Sequence, residues 1–286
     1  MSIDFESFLT VAWTSSLGLV RNVNEDACGE LTHEGVFWVA DGMGGGSAGE
    51  IASNIICDEI ASVSAEMNHD DSPGLRKYNL QQALFASHKK IRKLAEANHF
   101  RQMGSTVAML MMDPWNPRNA WLCHVGDSRI YRFRNGTTVP LTRDHTLGEE
   151  LASAAKNEAD RATFKDHRMN RLSHILTQAI GVSSSVKPEW NTVDVAPRDR
   201  FLICSDGVST MLTELEIWHI LAHEVEPEAM LQELSVAVNQ AGAKDNFTAV
   251  AVFVQENLPE QEIHDDDEEK ENQYLLKIAE ERNDHA

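Results

Sequence analysis

The chain has 286 residues, 42% hydrophobic and 24% charged, the proportions of a folded globular protein rather than a disordered or fibrous one. Its 45 acidic against 25 basic side chains give a net charge of −20, which repels nucleic acid and anionic lipid and excludes both as expected partners. No run reaches the roughly 18 apolar residues of a membrane-spanning helix, and the opening MSIDFESFL carries acids where a secretion signal has Lys or Arg, so a cytoplasmic protein is expected.

In chain order, β-branched and aromatic runs predict strands at Phe8–Trp13 and Gly35–Ala40. Helical spacing follows over Ser47–Met67, with Ile51, Ile55, Ile56, Ile60 and Val63 on one face, and over Leu80–Ala97. A block of strands comes next: Thr106–Met112, Ala120–Val125 and Arg129–Phe133, the last turning at the hairpin signal Asn135-Gly136. The polar stretch Thr142–Gly181 reads as an excursion from the core. Strands at Thr192–Ala196 and Phe201–Cys204 lead to two helices, Thr213–His223 and Glu226–Ala241. Thr213 and Glu216 have capping-box spacing at the start of the first. Phe247–Val254 is the last strand. Helices grouped between antiparallel-looking strands predict an α+β fold, a central β-sandwich flanked by helices. Residues 1–255 then form one domain. From Glu256 to Ala286 there are 12 acidic and 3 basic side chains, so this tail is expected to be disordered or a short helix through Tyr274, Leu275 and Ile278. Cys28, Cys57, Cys123 and Cys204 form no CxxC pair and read as reduced core residues.

The chemistry lies in the acids. Phe37-Trp38-Val39-Ala40 runs into Asp41-Gly42, and Phe201-Leu202-Ile203-Cys204 runs into Ser205-Asp206-Gly207. Asp127 follows another apolar run, Asp245-Asn246 precedes the last strand, and Glu25-Asp26 stands upstream. Any one of these is first of all a turn, because Asp bonds its local backbone and Gly accepts φ > 0. Several in one chain carry more: if the strands share a sheet, their acids converge at one edge, and such a cluster is strained unless it holds metal. Ligands that are all oxygen suit Mg²⁺ or Mn²⁺.

The ordered blocks GLVRNVNEDA, VFWVADGMGGGSAGEIAS, GSTVAML, CHVGDSRIYRFRNG, LTRDHTL, LTQAIG, FLICSDGVSTML and KDNFTAVAVFV span about Val11 to Val254. In them the sequence resembles the metal-dependent PPM-type (type 2C) serine/threonine phosphatases, above all their compact bacterial members. The resemblance implies two Mn²⁺ or Mg²⁺ ions in a cleft at one end of the sandwich. Asp41 would bridge them, the Gly42 carbonyl would bind one, Asp206 and Asp245 would hold the first, and Glu25 would help hold the second. Asp26 would orient water, Arg21 would bind the substrate phosphate, and Asp127 with Asp206 would form a third, weaker metal position. It also implies in-line attack by a metal-bridging hydroxide without a covalent phosphoenzyme, a monomer, and phosphorylated protein substrates made by a serine/threonine kinase. Two positions depart from the pattern. Met43 stands where many eukaryotic relatives have a histidine, which leaves leaving-group protonation to water. Thr142–Gly181, the family's flap, lacks the glycine-centred turn common there.

Two further classes fit the same scaffold: an idle relative acting as a regulatory binding module, which the complete acid set disfavours, and a hydrolase of small phosphate esters. The remaining motifs read as structural. His219 and His223 lack HExxH and sit among core-like residues, and His145 packs at the flap base. Gly44-Gly45-Gly46 lacks the GK[ST] ending of a nucleotide loop and lets backbone pass near the metals.

Overall fold

A computed structural model describes residues 3–45, 47–68, 70–100, 102–155, 171–223 and 225–260. The acidic tail beyond 260 and flap residues 156–170 lie outside the described residues. The strands are β1 Leu9–Ser16, β2 Asp26–Leu31, β3 Val36–Met43, β4 Gly104–Ser105, β5 Val107–Met112, β6 Asn119–Val125, β7 Arg129–Arg134, β8 Thr137–Pro140, β9 Glu189–Asp194, β10 Arg200–Cys204 and β11 Phe247–Val254. The helices are α1 Ser47–Ala65, α2 Pro73–Asn98, α3 Leu147–Ala154, the single turn α4 Asp206–Ser209, α5 Glu214–His223 and α6 Pro227–Gln240.

Two antiparallel sheets result, ordered β1-β11-β10-β7-β8 and β2-β3-β5-β6-β9, with β4 paired to β3. Side-chain alternation explains how they stack. On β3, Phe37 and Val39 face the other sheet, meeting Phe201, Ile203, Val250 and Val252, while Val36, Trp38 and Ala40 face α1 and α2. On β11, Phe247, Ala249, Ala251 and Phe253 face α5 and α6. The central strands are therefore apolar on both faces, each buried between a sheet and a helical layer, and the α+β sandwich expected from sequence is observed. Replacing Phe37 by Ala would cost about 3–5 kcal/mol.

Local signals account for most element ends. Thr213 and Glu216 form their capping box: the Thr213 N–H and hydroxyl both donate to Glu216 Oε2 at 2.6 Å. Asn135 and Gly136 both take positive φ, 50° and 78°, as a type I′ hairpin between β7 and β8 requires. Three of the differences from the sequence reading have a clear local cause. α2 begins at Pro73, seven residues before Leu80, because Ser72 caps it by accepting the Leu75 N–H and Pro73 suits the first turn. β9 is Glu189–Asp194, displaced from Thr192–Ala196 by its register on β6. β2 was not predicted at all. Its sequence DACGEL has no β-branched residue, and a Cβ at Gly29 would lie 2.1 Å from the Trp38 ring, so glycine there makes room for the neighbouring strand's indole.

Candidate active site

Strand ends gather the acids. β3 ends on Asp41-Gly42-Met43, β10 leads through Ser205 into Asp206 of α4, Asp245-Asn246 precedes β11, and Glu25-Asp26 opens β2. Asp127 lies between β6 and β7. A cleft of about 270 Å³ at this end is lined by Arg21, Glu25, Asp41, Gly42, Asp127, Asp206 and Asp245, seven of the eight residues singled out from sequence. The eighth, Asp26, lies opposite Asp41 in the β2–β3 register and is buried behind the lining, accepting the Ser205 hydroxyl at 2.8 Å.

Close backbone approaches fix these acids. The Gly42 N–H donates to the Glu25 carbonyl at 3.1 Å, and a Cβ on Gly42 would fall 2.2 Å from the Gly49 carbonyl in α1. A Cβ on Gly207 would meet the Asn246 carbonyl at 1.9 Å, so Asp206 and Asp245 are held together by a glycine contact. Asn246 ties down the loop that carries Arg21. Its Nδ2 donates to the Leu17 and Val23 carbonyls, both at 3.0 Å, and its Oδ1 accepts the Glu25 N–H at 2.9 Å. Thr106 performs the equivalent task for Asp41, accepting the Asp41 N–H at 3.1 Å and donating its own N–H to the Asp41 carbonyl at 2.9 Å. The Thr106 hydroxyl also bonds Ser128 at 2.6 Å, linking the Asp127 turn.

Charge is unbalanced here. Arg21 is the only Lys or Arg side chain in the cleft wall among the described residues, and it donates to Asp245 Oδ2 at 2.6 Å. Burial first, then Asp26, Asp206, Asp127 and Asp245, holds the Asp41 carboxyl well above the usual range. Burial and Asp245 raise Asp206, and burial with Asp206 and Asp144 raises Asp127. Asp26 is pushed up to about 7 by burial, against the hydrogen bonds of Ser205 and Thr248. Glu25 is raised by burial against the pull of the Gly49 and Gly45 backbone and of Arg21, and its Oε1 is buried without a well-formed hydrogen bond. An all-oxygen donor set, short of positive charge and with one orphaned carboxylate oxygen, fits hard divalent cations. The thiols fit no catalytic role: burial pushes Cys28 and Cys204 up to about 12, leaving both protonated at neutral pH.

Sequence reasoning gave no role to Thr106, Ser205 and Asn246, single polar residues inside the blocks it quoted; the flap it singled out at Thr142–Gly181 lines the cleft with His174 and Leu176. Nothing in the flap's sequence marked His174. His145 does sit at the flap base, its N–H donating to the Gly126 carbonyl at 2.9 Å and its carbonyl accepting from Thr177 at 2.8 Å. His124, His145 and Glu189 also cluster, but their hydrogen bonds argue against a metal site. His145 Nδ1 accepts the Gly126 N–H at 3.1 Å, so its Nε2 keeps the proton and faces Glu189 at 3.3 Å.

Carboxylates converging at the strand ends of such a sandwich, beside one arginine, define a site for divalent cations and an anionic ligand. The family model "Protein phosphatase 2C" matches residues 20–249. The chain is 28% identical over 251 residues to the protein phosphatase PhpP of Streptococcus pneumoniae, covering 87% of this chain and 98% of that one. Among solved structures, PppA, a key regulatory component of T6SS in Pseudomonas aeruginosa, shares 30% identity with a TM-score of 0.75 over 86% of this chain and 98% of its own. The catalytic domain of the serine/threonine phosphatase PstP, in complex with 2 manganese ions, shares 27% identity with a TM-score of 0.73 over 87% and 99%. The chain belongs to the protein phosphatase 2C family and is a metal-dependent serine/threonine protein phosphatase.

Proposed function

We propose that this chain dephosphorylates phosphoserine and phosphothreonine in proteins phosphorylated by a serine/threonine kinase, using two divalent cations, Mn²⁺ or Mg²⁺, held by Asp41, the Gly42 carbonyl, Asp206, Asp245 and Glu25. The reading rests above all on one observation: those five residues, Asp127 and Arg21 line a single cleft. Two such cations supply neutralisation of the incoming dianion and a water acidic enough to furnish hydroxide near neutral pH. The chain's own groups do the rest. Arg21 takes the phosphoryl oxygens with its planar fork and holds phosphorus in line. Asp26, buried behind the floor opposite Asp41, orients water there. The reaction needs no phosphorylated side chain: the buried thiols stay protonated, and the Ser205 hydroxyl is held by Asp26 and the Thr248 N–H. Met43 stands at the cleft without a proton to give, and the alkoxide of serine or threonine takes its proton from water. Asp127 with Asp206 forms a weaker third position.

The enzyme works as a monomer in the cytoplasm, with residues 1–255 as the phosphatase domain and 142–181 as its flap. No described helix is long and apolar enough to cross a membrane. A phosphothreonine peptide assayed with and without EDTA tests the reading: turnover should vanish with chelator and return with excess Mn²⁺. Turnover indifferent to EDTA refutes it.

A further inference from the structure

Beside the catalytic cleft lies a second, larger hollow of about 610 Å³ that shares with it the wall formed by His174, Asp206 and Asp245. It runs between α4–α5, which contribute Met211 and Glu216, and the α6–β11 connection, which contributes Ala241 and Lys244. The shared wall makes it continuous with the place where the phosphate must sit, and its volume is more than twice that of the cleft. Its charges are unequal in availability. Glu216 is committed, its Oε2 accepting both the N–H and the hydroxyl of Thr213 at 2.6 Å. Lys244 is exposed and has no ion-pair partner among the described residues. Arg21, in the adjoining cleft, already donates to Asp245. On a chain of net charge −20 that otherwise repels acidic segments, Lys244 is thus a free positive charge in a hollow opening on the reacting centre.

We propose that this hollow receives the polypeptide flanking the phosphorylated residue, and that Lys244 determines specificity by pairing with an anionic side chain near the phosphoserine or phosphothreonine. Met211 and Ala241 are the apolar residues of the hollow's lining. The inference rests on the protein-phosphatase reading and adds to it the substrate class, an acidic phosphopeptide segment.

The test uses the full chain with saturating Mn²⁺ and phosphothreonine peptides alike except for Asp, Ser or Lys at the flanking positions, with p-nitrophenyl phosphate as the reference substrate for each variant. The wild type should favour Asp over Lys peptides by about two- to fivefold in kcat/KM, the worth of one solvent-exposed ion pair. The preference should lie in KM and shrink as salt is raised from about 0.05 to 0.5 M. Lys244→Gln should abolish it and Lys244→Arg should keep it, both relative to p-nitrophenyl phosphate. A wild type without charge preference, or a Lys244→Gln variant with the preference intact, overturns the proposal while leaving the phosphatase reading standing. Hydrolysis of p-nitrophenyl phosphate with no turnover of any phosphopeptide overturns both.

Discussion

The two ends of the sandwich use the same kind of residue in opposite ways. At the end away from the cleft, acids and arginines are matched: Arg134 binds Asp199 and Asp194, Arg132 binds Asp194, and Arg198 binds Glu256. There the hydrogen bond from Arg134 holds Asp194 below the usual carboxylate range. At the cleft end, Asp41, Asp127 and Asp206 are raised, because burial and mutual repulsion outweigh what Arg129 returns to Asp127 and what the Asp41 hydrogen bond and His174 return to Asp206. One end is finished by the chain's own cations and stabilises the fold. The other is left short of positive charge, and ligand binding must complete it.

The sharpest way to break this contrast is to neutralise one acid at each end. Asp206→Asn should lower Mn²⁺-dependent turnover of a phosphothreonine peptide by about 100- to 1,000-fold, since it removes a metal ligand. The same change should leave the metal-free protein as stable as wild type or more so by thermal melting, because it relieves repulsion. Asp199→Asn should do the reverse, costing about 2 kcal/mol in denaturant unfolding by removing the buried half of the Arg134 pairing while turnover at low temperature stays within about twofold. Equal effects of the two substitutions on both readouts would erase the distinction.

Smaller effects follow from the support around the acids. Asn246→Ala removes three hydrogen bonds that pin residues 17–25, so it should loosen Arg21 and Glu25 together. Turnover should fall about tenfold, with KM for the phosphopeptide rising, and the loss should be absent from an Asn246→Asp control only if the acceptor alone matters. The pH dependence of stability sharpens the comparison further. Carboxyls raised in the folded state bind protons that the unfolded chain, with values near 4, has already released. The metal-free protein should therefore lose stability as pH rises from about 4 to about 7, where Asp26 gives up its proton. Mn²⁺ should raise the melting temperature by more at pH 7.5 than at pH 5.5, and a pH-independent increment would contradict the charge argument.

Much of this was legible in the sequence, for a physical reason. Strands such as Phe37–Ala40 and Phe201–Cys204 are apolar on every residue because both their faces are buried, so the acid that ends each stands out. The residues that hold those acids in place were not legible. Thr106, Ser205 and Asn246 act through two or three hydrogen bonds each, to partners as far as 229 positions away, and no local pattern announces that. β2 was hidden for the same reason, since Asp26–Leu31 is a strand by virtue of what β3 presents to it. His174 reaches the cleft from a polar flap with no hydrophobic period to place it.

The central claim is that the cleft carboxylates are a cation site held ready by the fold. Calorimetric titration of Mn²⁺ into the metal-free chain, wild type beside Asp41→Asn, tests it most directly. Two bound ions in the wild type and loss of at least one in the variant are the predicted result; undiminished binding by Asp41→Asn, or none by the wild type, would contradict it.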